Sequence, residues 1–279
     1  MKKIFALLLS AALLVTLLAA CGGGNTTDTD TDTQEPAADA STTQVEEQEP
    51  DTGDASKDDP LNQDEIGEKE LLVVSFGTSY NDSRRETIGA IEKAMQTAFP
   101  DYSVRRAFTS QIIIDHVKDR DGVTIDNVEQ ALERAVNNGV KTLVVQPTHL
   151  MNGLEYEELT DELAKYSDSF EKIAIGDPLL TSDADFEAVM TAITDATKDA
   201  ADGKTAICFM GHGTTADSNS VYSKMQTLLT DKGFNDYYVG TVEATPSLDD
   251  VLAAVQKGNY EKVILRPLMI VAGDHANND

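Results

Sequence analysis

Residues 70–76 read Glu-Leu-Leu-Val-Val-Ser-Phe, a short and mostly apolar run closed at once by Gly77-Thr78-Ser79. Runs of this length without alternation suit strands buried on both faces of a parallel sheet. The period then changes. Across residues 82–99, Ile88, Ile91, Ala94 and Met95 fall on one side of a helix. The same beat continues with strands predicted over 102–108, 141–146, 172–175, 205–210, 236–242 and 262–271. Helices are predicted over 126–138, 153–166, 184–200, 220–232 and 248–256. Strand–helix alternation at this spacing predicts an α/β protein whose parallel sheets are covered by helices. The charged, glycine-containing stretch 198–204 marks a boundary between two similar α/β units, 69–200 and 201–279. The second is short, with three strands and two helices.

The first 68 residues follow another logic. Lys2 and Lys3 precede an apolar run over residues 4–20, and small residues follow. Basic, apolar, small is the order of a secretory leader, and the run is shorter than a simple membrane span of about 20 residues. It closes Leu18-Ala19-Ala20-Cys21-Gly22, which looks like a bacterial lipobox, with residues 1–21 as signal peptide and Cys21 as the lipidated mature N-terminus. Lipid there would hold the protein at a bacterial membrane, facing outward from the cytoplasm. Residues 22–68 carry 15 acidic side chains against Lys57 alone. A segment so polar and like-charged is expected to be a disordered acidic tether.

Charge and cysteine content narrow the function. Of 279 residues, 49 are Asp or Glu and 22 are Lys or Arg, a net charge of −27. Nucleic-acid binding is excluded on that balance, because phosphate recognition needs clustered cations. Two cysteines, Cys21 and Cys208, support neither a disulfide framework nor a cysteine zinc site. Cys208 lies inside an apolar strand and reads as inert core, and His116 as a solvated helix residue.

Parallel sheets bind ligands beyond the carboxyl ends of their strands, so the residues there matter most. Three of these ends carry Met210-Gly211-His212-Gly213, Thr241-Val242-Glu243 and Gly273-Asp274-His275. The steps from His212 to Glu243 and from Glu243 to His275 are 31 and 32 residues, about one strand–helix–strand repeat each. Equal steps predict that the three side chains converge, and two imidazoles with a carboxylate suit a divalent metal in an open site. His149, in Pro147-Thr148-His149, ends a strand of the first unit and either faces the same cleft or is a satisfied loop histidine. The loop Ser75-Phe76-Gly77-Thr78-Ser79 lacks both G-x-x-x-x-G-K and G-x-G-x-x-G, which argues against nucleotide binding.

Four blocks together resemble a known family. Val74-Ser75-Phe76-Gly77-Thr78-Ser79, Arg106-Ala107-Phe108-Thr109-Ser110, Met210-Gly211-His212-Gly213 and residues 267–276, Pro-Leu-Met-Ile-Val-Ala-Gly-Asp-His-Ala, look like the anaerobic sirohydrochlorin cobaltochelatases, a class II chelatase family. The resemblance implies two Rossmann-like halves around a central tetrapyrrole cleft, with no organic cofactor. It implies insertion of Co2+ into sirohydrochlorin, an early step of anaerobic cobalamin synthesis. The family's metal histidine and proton acceptor falls on His212, its metal glutamate on Glu243, and its second metal histidine on His275. The tetrapyrrole is expected near Ser75, Phe76, Thr78, Ser79 and His149. Members continue past the His-Ala-x-Asn-Asp block, so the second half is expected to be incomplete here.

Ligands of this type also accept Fe2+ or Ni2+, and the reading is compatible with a homo-oligomer. The main rival is a surface lipoprotein that captures a metal ion or a haem-like tetrapyrrole for uptake without turnover. Such a protein would keep the cleft and its ligands.

Overall fold

The computed structural model describes residues 52–271 and Gly273. Cys21, His275 and residues 22–51 of the expected tether lie outside the described residues. Two parallel sheets organise the chain. The first contains β1 (Lys69–Ser75), β2 (Ser103–Phe108), β3 (Thr142–Pro147) and β4 (Lys172–Ile175), in the order β2-β1-β3-β4. The second contains β5 (Thr205–Gly211), β6 (Tyr237–Thr241) and β7 (Lys262–Pro267), in the order β6-β5-β7. Every strand pair is parallel, as the strand–helix alternation predicts.

The helices are α1 (Asn81–Glu86), α2 (Ile88–Ala98), α3 (Gln111–Asp121), α4 (Val128–Asn137), α5 (Leu154–Lys165), α6 (Asp183–Thr197), α7 (Ser220–Asp231) and α8 (Leu248–Val255). Several starts are written locally. Asn127 with Gln130, Ser182 with Asp185 and Ser247 with Asp250 form reciprocal capping boxes, each satisfying backbone donors that a helix start leaves open. The single helix expected over 82–99 is broken at Thr87. Its hydroxyl donates to the Ser83 carbonyl at 2.6 Å, a side-chain bond that competes with the backbone ladder and bends helices.

Strand β1 is central, and its side chains are buried alternately on both faces. Leu72 and Val74 pack with Leu132 of α4 and Leu159 of α5, while Leu71 and Val73 pack with Ile91 and Met95 of α2. In the second sheet, Ile207 and Phe209 pack under α7 through Met225 and Leu229, and Ala206, Cys208 and Met210 pack under α8 through Val251 and Val255. Burial pushes the Cys208 thiol up to about 11, so at neutral pH it stays a protonated thiol.

Two expectations change. The division at residue 200 assigns α6 to the first unit, yet its buried residues Phe186 and Met190 lie in the core of the second sheet, as does Leu180 before it. The second core therefore takes in α6, and Leu150 and Met151 after β3 also pack against it. The low-complexity composition of residues 22–68 also misleads at its end. Leu61 is buried against β1 and β2, its carbonyl accepts from the Arg106 amide at 3.1 Å, and Asp58 is nearly fully buried between two arginines. Two guanidinium partners outweigh the entropy of ordering this stretch, which composition averages cannot register.

Candidate metal and tetrapyrrole site

His212 is the first residue after β5, between two glycines that the packing demands. A Cβ on Gly211 would sit 2.0 Å from the Tyr222 ring, and one on Gly213, whose φ is +92°, 2.8 Å from the Ala244 Cβ. Both positions therefore need the missing side chain. Beyond the paired strand ends Gly211 and Thr241, the chains stay in register. The Val242 amide donates to the Gly211 carbonyl and the Glu243 amide to the His212 carbonyl, each at 2.9 Å.

This continued pairing sets Glu243 beside His212, with Oε2 3.8 Å from Nδ1 and the two side chains 54 % and 53 % exposed. His212 Nδ1 is also 2.9 Å from the Gly213 carbonyl oxygen. A carbonyl oxygen can only accept, so Nδ1 carries the proton and the lone pair is on Nε2. The imidazole thus presents a base and metal-ligand atom, with a carboxylate next to it.

Sequence reasoning missed the residue that ties the two loops together. The Asn219 side chain accepts from the Thr214 amide at 3.1 Å and donates to the Thr245 carbonyl at 2.6 Å. It thereby joins the loop after His212 to the loop after Glu243. Tyr222 adds its hydroxyl as acceptor for the Gly213 amide at 3.4 Å. A lone Asn before a helix reads as a cap in sequence, and nothing nearby signals the second partner.

The first sheet brings its own strand ends. The Ser75 hydroxyl accepts from Thr148 at 2.8 Å, and the Thr78 hydroxyl accepts from the Tyr80 amide at 3.2 Å. Ser75 and Thr78 are buried, so both hydroxyls shape the loop. Phe76 is 47 % exposed, and Ser79 is half-buried with its carbonyl accepting from Arg120 at 2.6 Å. His149, two residues beyond β3, has both ring nitrogens buried and without a hydrogen-bond partner. Burial holds its pKa below the usual histidine value, against the weaker opposing pull of Glu155.

The chain after β7 links the two sets of loops. The Leu268 amide donates to the Met210 carbonyl at 2.7 Å, Val271 packs with Phe108 and Ile88, and Gly273 lies beside Thr78. Of the three side chains predicted to converge, His212 and Glu243 do, and His275 lies outside the described residues. No group of three metal-ligating side chains occurs among the described residues. A hollow of about 580 Å3 along α4, lined by Asp64, Asp126, Glu133 and Arg134 among others, shares no residue with this site.

The family profile described as cobalt chelatase (CbiK) matches residues 69–279. The chain belongs to the cobalt chelatase family. A sirohydrochlorin cobaltochelatase of Salmonella typhimurium is 36 % identical over 211 residues, covering 76 % of this chain and 79 % of the relative. The sirohydrochlorin cobaltochelatase CbiKC of Nitratidesulfovibrio vulgaris is 30 % identical over 213 residues, 76 % of this chain and 74 % of the relative. A solved structure of CbiX, described as the terminal enzyme of sirohaem biosynthesis in denitrifying bacteria, overlaps 71 % of this chain and 91 % of its own at 17 % identity, with a TM-score of 0.42. The match to the chelatase family begins at Lys69, at the start of β1, so the ordered segment before it lies outside the matched region.

Proposed function

We propose that the protein inserts Co2+ into sirohydrochlorin, as in anaerobic cobalamin synthesis, at the cleft bordered by His212 and Glu243. The observation that carries this reading is the His212–Glu243 pair, in which Nδ1 is bonded to the Gly213 carbonyl and Nε2 is assigned as the base. Metal insertion expels two pyrrole protons from the macrocycle. His212 Nε2 accepts one, and the other leaves to the water that both half-exposed side chains meet. Glu243 draws the cation in by its charge and holds it, and the ion exchanges its water for macrocycle nitrogens as it transfers. His275, two residues beyond Gly273, is assigned as the second imidazole of the metal set on the family resemblance. His149 and Phe76 are assigned to the tetrapyrrole, His149 because its buried nitrogens suit a polar group of the substrate and Phe76 because its exposed ring suits a macrocycle face. The same donor set takes Fe2+ and Ni2+ as alternative metals.

The leader supports a lipid anchor on Cys21 and a location outside the cytoplasm. Cys21→Ser should then release the protein from the membrane fraction; retention there would refute the anchor. That location also favours the second reading, a surface lipoprotein that binds a tetrapyrrole or metal for uptake. An absorbance time course of sirohydrochlorin with Co2+ decides between them. Protein-dependent conversion that falls about 100-fold or more in His212→Ala is expected for the enzyme. Tight binding without conversion establishes the uptake reading, and full activity in both His212→Ala and Glu243→Gln would overturn the site.

A further inference from the structure

Asp58 belongs to the ordered segment before β1, outside the region matched by the chelatase family. Its carboxylate is nonetheless built into the interior. Oδ2 accepts from Arg84 Nε at 2.6 Å and from Arg106 Nη1 at 2.7 Å, and Oδ1 accepts from Arg106 Nη2 at 3.1 Å. The Asp58 side chain is 5 % exposed, that of Arg84 0 % and that of Arg106 1 %. The two arginines lead to different places. Arg106 also binds Glu92 of α2 through Nε and Nη2, both at 2.7 Å, so that branch ends in the core. Arg84 instead donates from Nη1 to the Thr78 carbonyl at 3.1 Å and from Nη2 to Asn81 Oδ1 at 2.5 Å.

Thr78 sits in the loop that exposes Phe76, and a Cβ on Gly273 would lie 4.0 Å from its hydroxyl. The segment before β1 is fastened to the same place a second way. Asn81 Nδ2 donates to the Gly53 carbonyl at 3.1 Å, and the Asp82 amide donates to the Thr52 carbonyl at 2.9 Å. One chain of charge-assisted bonds therefore runs from Asp58 through Arg84 to the backbone of the substrate loop.

We propose that Asp58 is a positioning residue for metal insertion, holding the Phe76–Ser79 loop in its substrate-ready place through Arg84. The proposal rests on the chelatase reading above. Removing the carboxylate leaves the buried Arg84 charge without that partner, and the guanidinium then relaxes away from the Thr78 carbonyl. The loop loosens, and the tetrapyrrole must order it on binding. The reacting groups beyond β5 and β6 stay where they are, because the bonds of their loops run through Asn219 and Tyr222.

The test uses the full chain and its Asp58→Asn variant, with sirohydrochlorin and Co2+ as substrates. The expected result is a KM for sirohydrochlorin raised about tenfold, the weight of one hydrogen bond to a charged group, with kcat within about twofold. Amide hydrogen exchange should quicken in residues 76–80 and stay unchanged in β5. A general structural role would instead lower the active fraction and speed exchange throughout. If Asp58→Asn fails to fold, Asn81→Ser, which loosens the same link from the other side, should raise KM in the same direction by a smaller factor. An unchanged KM in a folded variant, or unchanged exchange over 76–80, overturns the proposal. If the wild-type chain shows no cobalt insertion, the chelatase reading fails, and the exchange arm still decides whether Asp58 holds the loop.

Discussion

Glu70, the second residue of β1, is fully buried where a leucine would be ordinary. Both carboxyl oxygens lack a hydrogen-bond partner. Burial raises its pKa from 4.5 to about 7, with Arg105 opposing the rise, Asp126 adding to it and Arg134 opposing it less. A carboxyl moved from 4.5 to about 7 favours the protonated folded form by ~3 kcal/mol. The unfolded chain ionises first as pH rises. Stability from this group is therefore full below pH 4.5, declines between 4.5 and 7, and stays reduced above. About 2 kcal/mol of that decline falls between pH 5.5 and 8.

Glu70→Gln keeps the shape and removes the proton equilibrium. Urea unfolding followed by far-UV ellipticity suits a chain with no Trp. The variant should gain about 2 kcal/mol on wild type between pH 5.5 and 8, whatever its offset at a single pH. Subtracting the two profiles cancels the titration of other groups. Parallel profiles across this window would refute the argument and show that Glu70 stays ionised in the fold, paired with Arg105.

Other outcomes can be checked as directly. Arg106→Leu leaves the buried carboxylates of Asp58 and Glu92 facing each other without their shared cation, and should cost about 3–5 kcal/mol in the same urea assay; a loss under 1 kcal/mol would contradict the buried network. Gly211→Ala drives a methyl into the Tyr222 ring, so a loss of about 1–3 kcal/mol is expected, together with reduced metal insertion as the His212 loop shifts; an unaltered Tm would be incompatible with the packing. The His149 ring nitrogens are buried and burial lowers their pKa, so the ring protons should titrate by NMR with a midpoint below 6.5. Its stabilising share is present above pH 6.5 and is lost as pH falls from there toward the lowered folded-state value. A midpoint at or above 6.5 would place the ring in water or beside an anion.

Much of the architecture was legible because it depends on local, periodic causes. The apolar run of β1 and the helical spacing of α4 mark elements whatever their neighbours. The repeat length did more. Equal steps along a parallel sheet bring successive strand ends together, so the pairing of His212 with Glu243 followed from counting residues. The glycines around His212 were visible as a motif, although their reason, the Tyr222 ring and the Ala244 methyl, lies in other elements.

Tertiary structure decided what depends on distant partners. Composition assigned α6 to the first half because a charged stretch follows it, but Phe186 and Met190 bury themselves against the second sheet. Residues 52–61 read as tether because their average is polar, and averages do not see that Arg84 and Arg106 wait with matching charges elsewhere in the chain. The hydroxyls of Ser75 and Thr78 are tied to Thr148 and the Tyr80 amide, partners that no local pattern announces. Periodicity belongs to a segment and can be read from it, whereas a hydrogen bond or ion pair belongs to two segments and exists only once the fold has brought them together.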